Sequence, residues 1–274
     1  MPQYHCHPEI ISAYFESAGA QMELIIVPVF FLIAFVFSML GMGGSQLYIP
    51  VLFWLGMDFK TEAIPLGMLL NVVNSSSATA TYGLKGLINW RIALPFGLAM
   101  VIFAPLGALL NVRLSASDLM LFFAGFTAVA AVLMLRGRQP KRDTIERDRH
   151  GLVLGLGGGS ALGFIAGLIG RGGGSFVVPL LYLAGIEAKA AAATSALVVT
   201  FSGVSSFTSH LLLEAEPLWH TWILSALAVL AGSQLGSRFM AIHLNPAQVR
   251  RVFGIVLLGI SILLVLKDVL GIFG

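Results

Sequence analysis

Arg171 stands inside a run of glycines, with apolar residues on both sides of the run. Its guanidinium group carries a permanent charge and a planar set of donors, which suits two oxygens of a small oxyanion. The glycines beside it would let such an anion approach backbone N–H groups closely. These residue types predict an anion-binding site. In the alternative interpretation Arg171 is structural: it closes a packed turn and extends its charge towards water.

The glycine run occurs twice in the chain. Residues 41–50 align with residues 170–179 at an offset of 129, and the same offset pairs further glycines, serines and tryptophans without a gap. The sequence therefore predicts two copies of one ancestral unit. Met42 stands where the second copy has Arg171, so the two glycine runs differ chemically.

The composition predicts an integral membrane protein. Of the 274 residues, 57% are hydrophobic and 11% are charged, whereas soluble domains carry about 25% charged residues. Apolar runs that predict helices lie at 22–40, 63–83, 91–111, 117–135, 151–169, 190–212, 218–238 and 250–267. Two shorter runs, 46–57 and 175–186, follow the glycines and are too brief to span about 30 Å of hydrocarbon alone.

The distribution of basic residues predicts the topology. Four segments follow from it: a polar N-terminal segment (1–21), a first transmembrane repeat (22–135), a basic linker (136–150) and a second repeat (151–274). The positive-inside rule makes the linker cytoplasmic. If the short runs also cross, each half has five crossings, most basic residues fall on the linker's side, and the second repeat is inverted. The alternative is that the short runs are re-entrant hairpins. The predicted fold is an all-α membrane protein of two inverted repeats, each with four full helices and a short helix after a glycine-rich break.

A helix break at membrane depth requires protein or trapped water to satisfy the freed backbone groups, so each break predicts an interior cavity. The short helix that follows presents free N–H groups and the positive end of its dipole. Small polar residues concentrate on the next long helix of each half, where they can line a path or bond neighbouring helices. The predicted substrate-binding residues are Gly43, Gly44, Ser45, Gln46, Asn71, Asn74, Ser75, Arg171, Gly172, Gly173, Gly174, Ser175, Thr200 and Ser202.

Other features predict scaffold rather than chemistry. Gly151, Gly155, Gly159, Gly163 and Gly167 recur every four residues and predict a smooth stripe for close helix packing. We expect no catalytic residues, no metal, no cofactor and no nucleic-acid partner. The expected partners are a small anionic substrate and membrane lipid, and the sequence indicates no particular oligomeric state.

The two glycine runs, each followed by a proline, on a duplicated frame with a basic central linker, resemble the TauE/SafE sulfite exporter family. The resemblance covers about residues 22–270 and is carried by the runs that end at Pro50 and Pro179. It implies a multi-pass permease of the bacterial inner membrane for sulfite, sulfonates or related small anions. A passive anion channel and a carrier of another organic anion remain the alternatives.

Overall fold

The protein is described by a computed structural model at residues 25–111, 116–137, 152–169, 174–213 and 219–264. All regular structure in these ranges is helical. The helices are α1 (Ile25–Leu40), α2 (Ser45–Trp54), α3 (Ile64–Leu84), α4 (Trp90–Asn111), α5 (Ala116–Arg136), α6 (Gly159–Ile169), α7 (Gly174–Leu183), α8 (Ala188–Leu213), α9 (Trp219–His243) and α10 (Pro246–Leu264). Single π-helical turns, Phe59–Ala63 and Leu154–Gly158, lead into α3 and α6.

The helix boundaries agree with the predicted runs to within a few residues. Both predicted short helices are present as separate ten-residue helices, α2 and α7. Both bounds of α7 lie 129 residues after those of α2, the same offset that aligns the sequence with itself. The π-helical turn that leads into α3 begins where the side chain of Asp58 accepts the N–H groups of Lys60 and Thr61, at 3.0 and 2.9 Å. These hydrogen bonds, led by that from Thr61, hold the pKa of Asp58 below its usual value.

The long helices that correspond by this offset, α3 and α8, pack against each other. The hydroxyl groups of Thr79 and Thr200 lie 3.4 Å apart, while Gly203, further along α8, contacts Val72, earlier on α3. Contacts that advance along one helix and retreat along the other identify an antiparallel pair. α5 and α10, which also correspond by the offset, are antiparallel by the same criterion, because Gly137 contacts Arg250 whereas Gly254 contacts Leu135.

Glycines set the closest helix contacts. A Cβ atom at Gly155, Gly159 or Gly163 of the α6 segment would lie 2.5 to 2.7 Å from atoms of α4. The predicted packing stripe is confirmed at these three glycines. Gly151 lies outside the described residues, as do the surroundings of Gly167. α9 packs on α1 in the corresponding way, since a Cβ at Gly232 or Gly236 would overlap a carbonyl oxygen of α1.

Two of the described helices are long and apolar enough to cross a membrane by length and composition alone, Ala188–Thr208 and Trp219–His243. Shorter apolar helices lie at Ile25–Leu40, Trp90–Leu106, Thr127–Arg136 and Gly155–Ile165. α3 has 21 residues, about 31 Å of helix, but its polar residues lower its hydropathy. The predicted number of crossings therefore stays a prediction.

Candidate functional site

The first glycine break lies in the interior of the protein. α1 ends at Leu40, residues 41–44 are buried, and α2 begins at Ser45. Gly41, Gly43 and Gly44 have φ values of 66°, 86° and 123°, a region that other residues rarely adopt. Glycine is therefore required here by backbone conformation as well as by space.

Side chains of α3 and α8 satisfy the backbone groups that the break frees. The hydroxyl of Ser195, on α8, donates to the carbonyl of Gly41 at 2.8 Å. The amide of Asn74, on α3, donates to the carbonyl of Gly43. The amide oxygen of Asn71 accepts the N–H of Ser45 at 3.3 Å. All three polar side chains are buried, as backbone groups freed at such a depth require.

This arrangement gives Asn71 a specific electrostatic position. Its amide oxygen accepts from the first residue of α2, at the positive end of the helix dipole. We predicted that an oxygen of the substrate would bind there. A Cβ atom at Gly43 would overlap this same oxygen, so the glycine permits the protein's own side chain to approach the backbone.

Three other predicted site residues, Ser75, Thr200 and Ser202, bond within their own helices. Ser75 and Ser202 donate to carbonyls three residues earlier in their own helices, at 3.4 and 3.2 Å. Thr200 donates to the carbonyl of Ala196 at 2.8 Å. Gln46 is half-buried in the first turn of α2. These contacts are those of polar residues that satisfy their own helix.

The second break is described in part. Gly174 and Ser175 begin α7, as Ser45 begins α2. Arg171, Gly172 and Gly173 lie outside the described residues. α7 packs on α8 as α2 packs on α3, so the two short helices have corresponding neighbours.

The residues that stabilise the first break differ in kind from their counterparts in the second half of the sequence. By the 129-residue offset, Asn74 corresponds to Gly203 and Ser195 to Leu66. Asn71 corresponds to Thr200, whose hydroxyl is bonded within α8. The two breaks thus share a glycine pattern in the sequence and differ in the side chains that the facing helices offer.

Sequence reasoning missed a polar network between α3 and α9. Gln234 donates to the hydroxyl of Ser77 at 2.7 Å, and Ser237 donates to that of Thr81 at 3.1 Å. Ser233 donates to the carbonyl of Asn74 at 2.8 Å, so the network reaches the first break. A comparison of the two halves could have found it, because the three α9 residues are polar and their counterparts are not. Ser233, Gln234 and Ser237 correspond to Ala104, Pro105 and Ala108.

A groove of about 600 Å³ lies beside this network. Its walls are mainly apolar and come from α3 and α9, and Ser76, Ser77 and Gln234 supply its polar atoms. Ala226 lines this groove, and its counterpart by the 129-residue offset is Gly97. The ring of Phe201 packs against Gly97 and fills the corresponding space. The groove is therefore a product of these side chains and not of the helix arrangement alone.

Comparison with known proteins identifies the class. The family model described as Sulfite exporter TauE/SafE matches residues 26–264. A probable membrane transporter protein of Xylella fastidiosa (strain Temecula1) is 27% identical over 250 residues, 86% of this chain and 92% of that protein. The probable membrane transporter protein ORF9 of a Sinorhizobium species is 29% identical over 214 residues, 76% of this chain and 79% of its own. No solved structure matches the chain significantly.

The apolar, all-helical fold and these relatives define an integral membrane protein of the transporter class. The chain belongs to the TauE/SafE family. The relatives' names describe transporters and not enzymes.

Proposed function

We propose that this protein is a secondary transporter of small oxyanions, built from two inverted repeats that expose a central site alternately to the two sides of the membrane. The observation that carries the proposal is the placement of a broken helix against α3 and α8, the corresponding helices of the two halves. These two helices are antiparallel. Corresponding helices related by an axis in the membrane plane must run antiparallel, which favours inversion over a parallel repeat.

Contacts of basic residues support the predicted topology. Arg250 donates to the carbonyl of Gly137, at the start of the basic linker, at 3.1 Å. Lys189 donates to the carbonyls of Ala241 and Leu244, at 2.7 and 3.1 Å, near the beginning of α10. Both cations therefore lie at the linker's end of the helices, as five crossings in each half require. With the positive-inside rule, these contacts favour a cytoplasmic linker. The proposal locates the protein in the inner membrane as a multi-pass protein.

The difference between the breaks favours the second as the anion site. At the first break, Asn71 and Asn74 already satisfy backbone groups. At the second, their counterparts offer no amide, and Arg171 adds a positive charge to the helix N-terminus. In this proposal Gly172, Gly173 and Gly174 admit the anion, which supplies the acceptor that a side chain supplies in the first half.

The substrate class rests on charge and on the family. A guanidinium group binds two oxygens of one anion in a planar geometry, which suits sulfite and organosulfonates, and the family is described as a sulfite exporter family. A carrier of another small organic anion would share this chemistry, as would a passive channel. A carrier saturates and supports counterflow of labelled substrate against unlabelled substrate, whereas a channel does neither.

Replacement of Arg171 by Gln should abolish anion-dependent stabilisation of the purified protein. A ligand at 100 times its dissociation constant adds about 2.7 kcal/mol to the free energy of unfolding, so wild type should melt at a higher temperature with its substrate. The measurement is a thermal-shift screen of both proteins in detergent against sulfite, thiosulfate, sulfoacetate, taurine, acetate and chloride. We expect one sulfur oxyanion to stabilise the wild type and none to stabilise the variant.

Lys60→Gln is the matched control, because Lys60 is an exposed cation in the π-helical turn before α3. It should respond to anions as wild type does, which separates a specific site from general charge. An equal shift in wild type and Arg171→Gln would show that Arg171 is structural and would remove the second break from the proposal.

A further inference from the structure

Tyr48 is a fully buried tyrosine beside the first break. Its ring contacts Phe30 at a centroid distance of 5.3 Å, and its side chain is 0% exposed. A Cβ atom at Gly44 would lie 2.7 Å from the ring and 3.1 Å from the hydroxyl oxygen, so the hydroxyl points back to the N-terminus of α2. This hydroxyl has no hydrogen-bond partner among the residues that the structure describes.

The amide oxygen of Asn74 is a second buried polar atom in the same region that finds no partner within the described part of the chain. The nitrogen of this amide donates to the carbonyl of Gly43, the residue that precedes Gly44. Asn74 is also 0% exposed. A donor and an acceptor, both unpaired, therefore lie against consecutive glycines at the start of α2.

The fold does not require either polar group. By the 129-residue offset, the counterpart of Tyr48 is Val177 and that of Asn74 is Gly203. Val177 is as fully buried as Tyr48, so the position packs well without a hydroxyl. A buried polar group without a partner costs about 1–3 kcal/mol. Two such groups, retained in one half only, indicate that a ligand satisfies them.

We propose that Tyr48 and Asn74 form a subsite that binds the transported oxyanion in its singly protonated form, such as hydrogen sulfite. This inference rests on the proposed function. The Tyr48 hydroxyl donates to an oxygen of the anion, and the Asn74 amide oxygen accepts the hydrogen of its O–H group. A fully deprotonated dianion has no O–H group to donate to Asn74. Its oxygen and the Asn74 amide oxygen would both be acceptors and would repel each other.

Binding of the protonated form couples transport to protons without an acidic side chain at the site. Helices α1, α2 and α3 contain no Asp, Glu, Lys, Arg or His. On α8 and α9, Lys189 is bonded to carbonyls near the start of α10. The other basic positions lie outside the turns that contact the break: His210, His220, Arg238 and His243. The neighbouring buried tyrosine, Tyr82, donates to the carbonyl of Ser38 at 2.6 Å. The proton therefore travels on the substrate.

The test is uptake of labelled sulfite into proteoliposomes, measured at a series of equal internal and external pH values. For wild type, the KM expressed as hydrogen sulfite concentration should be constant across the series. For Tyr48→Phe it should rise about tenfold to a hundredfold, the effect of one hydrogen bond to a charged group. Without ligand, this variant should melt at or above the wild-type temperature, since it removes an unpaired hydroxyl.

Tyr82→Phe is the matched control, because it removes a hydroxyl that is already paired within the protein. It should lower the melting temperature and leave the KM for hydrogen sulfite unchanged. Two results would overturn this inference and leave the proposed function standing. One is a KM that is constant across the pH series only when it is expressed as the concentration of the sulfite dianion, and the other is an unchanged KM in Tyr48→Phe. Absence of sulfite uptake by wild type at every pH would contradict the proposed substrate itself.

Discussion

Gly41→Ala should prevent accumulation of folded protein, although it adds a single methyl group. Gly41 has a φ of 66°, and a Cβ atom there would overlap the backbone carbonyl oxygen of Ala192 on α8. A backbone atom cannot rotate away as a side chain can. The collision would separate the break from α8 and strain the hydrogen bond from Ser195 to the Gly41 carbonyl. Overpacking of this kind costs about 1–3 kcal/mol and occasionally more, and the lost hydrogen bond adds to it.

The control is Gly56→Ala. Gly56 also has a positive φ, 93°, but a Cβ atom there would have no neighbour within 4 Å. Both variants share the conformational cost of alanine in the left-handed region, about 1–2 kcal/mol. The comparison therefore isolates contact with α8. The measurement is the monodisperse yield on size-exclusion chromatography, followed by the melting temperature of any folded fraction. Equal yields and melting temperatures for the two variants would contradict the packing of the first break against α8.

The helix bounds could be predicted because they depend on local sequence. A run of apolar residues long enough to span a membrane stands out by composition, and glycines followed by a proline mark a chain break. The glycine stripe on α6 was also predictable, since a four-residue spacing places side chains on one helix face. Gly159 and Gly163 accordingly pack on α4.

The partners of the polar residues could not be predicted in this way. Asn71 and Asn74 were predicted to bind substrate, and their amides bond the backbone of the break at Ser45 and Gly43, more than twenty residues away. Which acceptor an amide finds is decided by tertiary packing and not by periodicity. Tyr48 escaped notice for the related reason that an aromatic residue in an apolar run is typical of a core.

The difference between the halves carries more functional information than their similarity. If the halves are copies of one unit, as the sequence predicts, corresponding positions meet the same packing requirement. A residue that is polar in one half only is therefore not explained by packing. Tyr48 and Asn74 are such positions in the first half, and Arg171 is one in the second. If the two breaks serve one substrate, its O–H group and one oxygen face Asn74 and Tyr48 at the first break, and its other oxygens face Arg171 at the second.

Gly159→Leu should separate α6 from α4 and abolish the folded state. A Cβ atom at Gly159 would lie 2.5 Å from the carbonyl oxygen and 2.9 Å from the Cα atom of Phe96, and 3.0 Å from the Cβ atom of Ala99. The rest of a leucine side chain cannot be placed unless the two helices move apart. Since Gly155 and Gly163 make equally close contacts on the same face, the loss would extend along the whole interface. Lipid tails are as apolar as leucine, so burial offers no compensating gain in a membrane.

Gly157→Leu, two residues earlier, is the matched control. Gly157 is exposed, and a Cβ atom there would meet nothing within 4 Å. This substitution should raise stability by up to about 1 kcal/mol, because leucine favours a helix over glycine by that amount. Scanning fluorimetry in detergent should therefore show opposite changes in melting temperature for the same substitution at neighbouring positions. A folded Gly159→Leu protein with the melting temperature of wild type would mean that α6 does not pack on α4 through its glycines. The corresponding assignment of glycine contacts between α1 and α9 would then be in doubt as well.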